Sequence, residues 1–224
     1  MADGAERGVC SGGEIYRLWV VIAGISPLIW RRLLVPADTT IAELHTILQT
    51  VFGWSGEHLH RFVIHGREYG ISYIGGEGFR DDARKVQLGE LGLRLGERFS
   101  YEYNYFAAWT CDLRLEQIQP SERGRVYPRC IGGRRAGPPE DWDGPWAFLE
   151  RTQPHLVFAA MLRAAEIVGC FLDADEDAIV ADVLGDYHDE LAALMPLLGL
   201  ERFDRRPCNT ALATSVTSMK ESGV

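Results

Sequence analysis

The run DTTIAELHTILQTVFGW, from Asp38 to Trp54, admits one regular structure. Thr40 and Glu43 stand at capping-box spacing, in which the hydroxyl accepts from a first-turn N–H and the carboxylate reaches back to the cap. Ile41, Leu44, Ile47, Leu48, Val51 and Phe52 recur at helical spacing and fall on one face. Gly53 then supplies a residue able to take the left-handed conformation that closes a helix. The spacing therefore predicts an amphipathic helix, and such a helix needs an apolar surface to cover.

The flanking segments supply that surface. EIYRLWVVIAG and LIWRRLLVP are rich in β-branched and aromatic residues and predict two strands, joined through Gly24, Ser26 and Pro27 and ended by Pro36. Beyond the helix, HLHRFVIHGREYGIS predicts a strand turning at Gly66. RFSYEYNYF and WTCDLRLEQI predict two more, with Ala107 and Ala108 at the bend. Strand alternation puts Phe99, Tyr101, Tyr103 and Tyr105 on one face, and Trp109, Cys111, Leu113 and Leu115 on the apolar face of the next strand. Alternation leaves open whether the aromatic face lines a core or a cavity.

From Ser121 to Gly144 the composition turns to Arg, Gly and Pro, which predicts a long loop. PWAFLER, LVFAAMLRAAEIVG and YHDELAALMPLLGL then predict helices. The expected organisation is a disordered lead over residues 1–13, a single α+β domain over 14–203 and a flexible tail over 204–224. Within the domain, 14–120 hold the sheet and main helix, 121–144 the loop and 145–203 a helical extension. Strand pair, long helix, further strands is the order of a β-grasp-like core, its helix crossing a mixed sheet.

Hydrophobic content of 46% suffices for one main core across 224 residues. A formal net charge of −9 repels a phosphate backbone. Nucleic-acid binding is thus disfavoured unless Arg123, Arg125, Arg129, Arg134 and Arg135 form a local basic patch. The five cysteines, Cys10, Cys111, Cys130, Cys170 and Cys208, are widely spaced and contain no CxxC pair. They read as reduced thiols of a cytoplasmic protein. The opening MADGAERGVCSGG lacks the apolar run of a signal peptide, and no stretch approaches the ~18 consecutive apolar residues of a membrane span. No GxGxxG, GxSxG or HExxH motif occurs, so no cofactor is expected.

Three constellations carry candidate chemistry. His58 and His60 share one side of a strand, which can begin a metal site but needs further ligands, or can serve proton transfer. In PPEDWDGPW, Glu140 and Asp141 lie beside Trp142, where a carboxylate can act as general acid or base or else cap the helix that follows. Arg31 and Arg32 are adjacent on a strand, so one must face inward and find a partner.

ISPLIWRRLLVPADTTIAELHTILQTVFGW, HLHRFVIHGREYG, FSYEYNY with its following Trp, and CIGGRRAGPPEDWDGPWAF together resemble the plasmid ORF-3-like family, also labelled insertion-element passenger TnpR proteins. The resemblance covers Glu14 to Glu150 well and the C-terminal helices weakly. It implies a soluble α+β fold more than an activity, and no serine-recombinase signature accompanies it. The family motif at the hairpin resembles Tyr-Asp-Phe-Gly-Asp, one variable residue, Trp, another, then His. Tyr103, Asn104, Tyr105, Phe106, Ala107, Trp109 and Cys111 hold those places here. Both carboxylates and the histidine are missing, so any metal site or proton relay built on them is not available in the same form.

The expected function is therefore a small-molecule-binding protein, working as a cofactor-independent and metal-free enzyme if it is catalytic. Glu140, Asp141, His58 and His60 are the expected acid–base residues. Arg32, Tyr101, Tyr103, Asn104, Tyr105, Trp109 and Trp142 are the expected substrate contacts in an aromatic pocket. The competing expectation is a non-catalytic mobile-element passenger protein that meets nucleic acid or a protein through the Arg-rich loop.

Overall fold

A computed structural model describes residues 13–72, 78–173 and 182–222. β1 (Glu14–Ile22) and β2 (Trp30–Pro36) pair as a hairpin, and α1 (Ile41–Phe52) follows. Both α1 ends form as the local chemistry dictates. The Thr40 hydroxyl accepts from the Glu43 N–H, the Glu43 carboxylate accepts from the Thr40 N–H, and Gly53 closes the helix at φ 75°. Then come β3 (His60–Ile64), β4 (Arg67–Tyr69), β5 (Arg98–Tyr103), β6 (Trp109–Pro120) and β7 (Arg129–Arg134).

The seven strands lie in the order β4-β3-β5-β6-β1-β2-β7. Every ladder between them is antiparallel, which corrects the expected mixed sheet. The reason is topological. A parallel pair needs a crossover between neighbouring strands, whereas the α1 crossing joins β2 to β3, which are not neighbours.

One sheet face packs on α1. Leu18, Val20 and Ile22 of β1, Leu33 and Val35 of β2, and the Trp109, Cys111, Leu113 and Leu115 row of β6 form a single core with the apolar stripe of α1. The opposite face carries a charged ladder. Glu116 accepts two hydrogen bonds from Arg32, at 2.7 and 3.0 Å, and its carboxylate also lies 3.2 Å from Arg17 and 3.4 Å from Arg114.

β7 occupies part of the segment expected to be loop. Its glycines have a packing task that composition does not disclose: a Cβ on Gly133 would collide with the Phe203 ring. Helices α2 (Gly144–Arg151), α3 (Pro154–Asp173), α4 (Asp182–Leu198) and α5 (Arg205–Ser222) complete the described chain. The expected flexible tail is corrected, because α5 lies against α1 and β7 with Leu212 fully buried. The expected disordered lead falls on residues 1–12, outside the described ones, save for Gly13.

The Pro154–Phe171 stretch of α3 is long and apolar enough, by length and composition, to cross a membrane. It contains Arg163, which binds Glu190 of α4 at 2.6 Å, and it leaves Phe158, Met161, Leu162 and Val168 exposed.

Candidate functional site

Two polar residues interrupt the apolar face of α1. His45 and Gln49 are one helical turn apart, so the helix presents both to the same place, the ends of β3 and β5. There the His45 ring stacks on His60, the first residue of β3, with centroids 3.6 Å apart and planes 9° from parallel. Tyr101 of β5 completes the group. Its hydroxyl accepts a hydrogen bond from Gln49 Nε2 at 2.6 Å and lies 2.7 Å from His45 Nδ1. A phenol that accepts from the amide has its own proton for Nδ1, which assigns the His45 proton to Nε2.

All four side chains are buried, Gln49 at 5% and His60 at 3% exposure. Among the described residues, Gln49 Oε1 and His60 Nδ1 have no hydrogen-bond partner of good geometry, although His60 lies beside the His58 backbone. Each such buried orphan costs about 1–3 kcal/mol. Burial, with the His60 ring as a second cause, pushes His45 down to about 3. Burial also pushes His60 down to about 4 and Tyr101 well above its ordinary range. The stacked imidazoles are therefore neutral at neutral pH.

The segment after α1 covers this group. Gly56, at φ 81°, lies over the rings: a Cβ there would be 3.8 Å from His45 Nε2. Two contacts latch the segment. The Ser55 N–H donates to both oxygens of Glu140 at 3.0 Å, and the Gly56 N–H donates to the Tyr103 hydroxyl at 3.1 Å. That hydroxyl in turn donates to Glu140 Oε2 at 2.6 Å. Burial, with the Glu140 hydrogen bond second, raises Tyr103 to about 12.

The Pro-rich loop is itself tied down by donors from the hairpin and from the end of α1. Trp109 Nε1 and Asn104 Nδ2 donate to the Glu140 carbonyl at 3.1 and 3.2 Å, and Trp54 Nε1 donates to the Pro138 carbonyl at 2.9 Å. Asn104 sits at φ 51°, a left-handed position that Asn tolerates because its short amide bonds locally. At the rim, His58 Nε2 lies 3.8 Å from Asp141 Oδ1, their side chains 35% and 84% exposed.

The fold thus gathers His60, Tyr101, Tyr103, Asn104, Trp109 and Glu140, with His58 and Asp141 at the edge. It separates the others. Arg32 is bound to Glu116 on the far sheet face, and inward-facing Arg31 is the one that is buried. Tyr105 stands on the bend, its ring 5.5 Å from the Arg61 guanidinium. Trp142 packs on Phe148 and lines a different space, an apolar cavity of about 710 Å³ between α2, α3 and α4.

The aromatic face of the hairpin is core: Tyr101, Tyr103 and Trp109 are fully buried, because β3 and β6 flank β5 in the sheet and this face lies in one core with α1. Asp143 takes the α2 N-cap position without a side-chain hydrogen bond, so the acids of PPEDWDGPW do not cap that helix through their carboxylates as one expectation had it. Glu140 accepts from the Ser55 N–H and the Tyr103 hydroxyl instead. Among the described residues no group of three or more His, Cys, Asp and Glu is arranged to hold a metal ion. His45 and Gln49 belong to no motif that points to them in the sequence. The available signal is their i, i+4 placement on an otherwise apolar helix face.

Residues 14–154 match the family described as Plasmid pRiA4b ORF-3-like protein. An uncharacterized protein, y4hQ of Sinorhizobium fredii (strain NBRC 101917 / NGR234), is 30% identical over 186 residues, covering 80% of this chain and 93% of that one. The crystal structure of a protein of unknown function, MM3350 from Methanosarcina mazei Go1, superposes with a TM-score of 0.61 at 27% identity, over 87% of this chain and 96% of that one.

Proposed function

Because the chain belongs to the plasmid pRiA4b ORF-3-like family, whose matched region holds every residue of the His45–His60 group, we propose that it is a cytoplasmic small-molecule-binding protein with a capacity for cofactor-independent acid–base chemistry. The site is the buried group of His45, Gln49, His60 and Tyr101 beneath the Ser55–His58 segment. The observation that carries this reading is the pair of orphaned interior atoms, Gln49 Oε1 and His60 Nδ1. A ligand group that meets both removes a cost the folded chain otherwise bears. The β-grasp-like description belongs to the same reading and rests on element order.

The electrostatics select the ligand class. Both imidazoles are neutral and no ionised side chain lies among the four, so a charged group placed there loses hydration without gaining a counter-ion. A small neutral molecule with donor and acceptor side by side, such as an amide or a phenol, fits better. Gln49 Oε1 accepts from its donor, and its acceptor meets His60 Nδ1 in the tautomer that carries the proton there. Imidazoles whose basicity is suppressed to this degree serve as hydrogen-bonding groups. The accessible base is His58, with Asp141 beside it, and Glu140 positions the segment on which His58 stands.

The passenger-protein alternative has less support. In the Arg-rich segment, Arg125 binds Glu122 at 2.6 Å, and buried Arg135 binds Glu201 at 2.8 Å and the Pro27 carbonyl at 2.7 Å. These side chains are committed within the chain.

Titration with benzamide and p-cresol, followed through the histidine ring signals by NMR, tests the proposal. His45 and His60 signals are expected to move in the wild type and to stay in place in Gln49→Leu with its fold intact. Unmoved wild-type signals, even with the latch weakened by Glu140→Gln, would overturn the reading. So would an unchanged response in Gln49→Leu.

A further inference from the structure

Away from this site, Arg31 poses a separate electrostatic problem. It is 1% exposed, and among the described residues it has no carboxylate partner. Its guanidinium donates only to backbone carbonyls, those of Val51, Trp30 and Arg134 at 2.9, 2.8 and 3.1 Å. It lies over the Phe203 ring at 3.9 Å and the Phe52 ring at 5.1 Å. A buried cation of this kind favours a negative charge nearby. The acidic groups near enough to act on it include the thiols of Cys130, Cys208 and Cys111, and of these three Cys130 is the one held below its ordinary range.

Two of those thiols are held together. Asn209 of α5 clamps the backbone of Cys130 in β7 from both sides: its Oδ1 accepts from the Cys130 N–H at 2.8 Å and its Nδ2 donates to the Cys130 carbonyl at 3.0 Å. This pair of hydrogen bonds sets the register of α5 on the sheet edge and places the preceding residue, Cys208, beside Cys130, where the two thiols influence one another. The Cys208 thiol first, and Arg31 after it, hold the Cys130 thiol below its ordinary range, while the same contact pushes Cys208 up; the Cys130 Sγ–H donates to the Gly132 carbonyl at 3.3 Å. Cys208 is half-buried and gives the pair its side towards solvent.

We propose that Cys130 and Cys208 are a redox pair, closed by a peroxide into a reversible disulfide that fastens α5 to β7. The Cys130 sulfur attacks one peroxide oxygen and breaks the O–O bond, giving a sulfenic acid and hydroxide, which takes the Cys208 proton to form water. The Cys208 sulfur then displaces hydroxide from the sulfenic sulfur, and that hydroxide leaves as water with a solvent proton that replaces the one Cys130 had lost. Two thiols are oxidised and one peroxide is reduced. Small thiols reverse the bond by exchange. Because α5 lies against α1 as well as β7, oxidation fixes the far side of the helix that carries His45 and Gln49.

The test treats the folded full-length chain with hydrogen peroxide, then maps thiols by alkylation and disulfide-linked peptides by mass spectrometry. The expected result is one intrachain Cys130–Cys208 link with loss of two hydrogens, reversed by dithiothreitol, and a melting temperature raised by about 5 °C or more. Cys208→Ser, a substitution at a half-exposed position, abolishes the link. Asn209→Ala, which loosens the register, slows its formation about tenfold with circular dichroism unchanged. Two free, alkylatable thiols after oxidation of folded protein would overturn the proposal. Links that join only separate chains, or an unchanged rate in Asn209→Ala, would do the same.

Discussion

The polar interior beneath α1 and the apolar cavity between α2, α3 and α4 are built in opposite ways. The first is polar and closely covered. Four buried side chains offer directed donors and acceptors, two of their atoms have no hydrogen-bond partner among the described residues, and a latched segment lies directly over the His45 ring. The second is apolar and open. Its roughly 710 Å³ is lined by Trp142, Leu156, Ala160, Pro196 and Leu197, with Arg163 already bound to Glu190. The polar group falls inside the family match, and most of the cavity lies beyond residue 154. Orientation and selectivity come from polar groups held rigidly, while an apolar cavity contributes area.

The largest expected effect tests whether the hairpin belongs to the interior or lines a cavity. Trp109→Ala removes a fully buried indole and its hydrogen bond to the Glu140 carbonyl. It should cost about 3–5 kcal/mol, measured by urea unfolding. Trp142→Ala, at a partly buried wall of the apolar cavity, should cost far less. Equal losses would remove the distinction between core and cavity.

Acidification should discriminate next. The folded-state values of His45 and His60 lie at about 3 and about 4, below the ordinary 6.5. The unfolded chain therefore binds protons that the folded chain refuses as pH falls below 6.5. Stability is fully present above that value and declines until pH reaches the folded values. At pH 5 the loss is about 2 kcal/mol for each imidazole. His60→Phe should flatten part of the slope. A wild-type stability that stayed level from pH 7 to pH 5 would contradict neutral burial of the pair.

Glu140→Gln keeps the shape of the latch but weakens its acceptors, at a cost of about 1–3 kcal/mol. Hydrogen exchange sharpens this test. The Ser55 and Gly56 amides should lose protection while the α1 interior keeps its own, and protection lost evenly through α1 would mean that the carboxylate supports the core rather than the cover.

Asp141→Asn should change stability by no more than about 0.5 kcal/mol, because that side chain is 84% exposed. Its effect belongs on the contact with His58, whose ring NMR signals at fixed pH should move when the neighbouring side chain is changed. Unmoved signals would separate the two residues.

Several of these features are legible in the amino-acid sequence. The Thr40 and Glu43 box, the Gly53 closure and the α1 stripe stand as the spacing predicts, and so does the turn at Gly66 between β3 and β4. The candidate site is legible by halves. His60, Tyr101, Tyr103 and Glu140 stand out, but as members of a charge-poor pocket. Their partners His45 and Gln49 look like polar punctuation in a helix. Arg32 is expected in the site when its neighbour Arg31 is the one that faces inward, since alternation says that adjacent residues differ in face but not which face is which.

By itself the sequence determined the elements whose causes are local: the capped helix, the strands with alternating apolar residues, and the tight turns between them. In these, each residue and its next few neighbours settle the backbone. Only the tertiary structure decided the antiparallel strand order, the use of the Gly132–Gly133 segment as an edge strand against Trp30 and Phe203, and the docking of α5 through Asn209 and Leu212. It alone also set His45 against His60 and Cys208 beside Cys130. These depend on partners many residues away, whose approach is fixed by burying the whole sheet face at once, and no short stretch of sequence contains that condition.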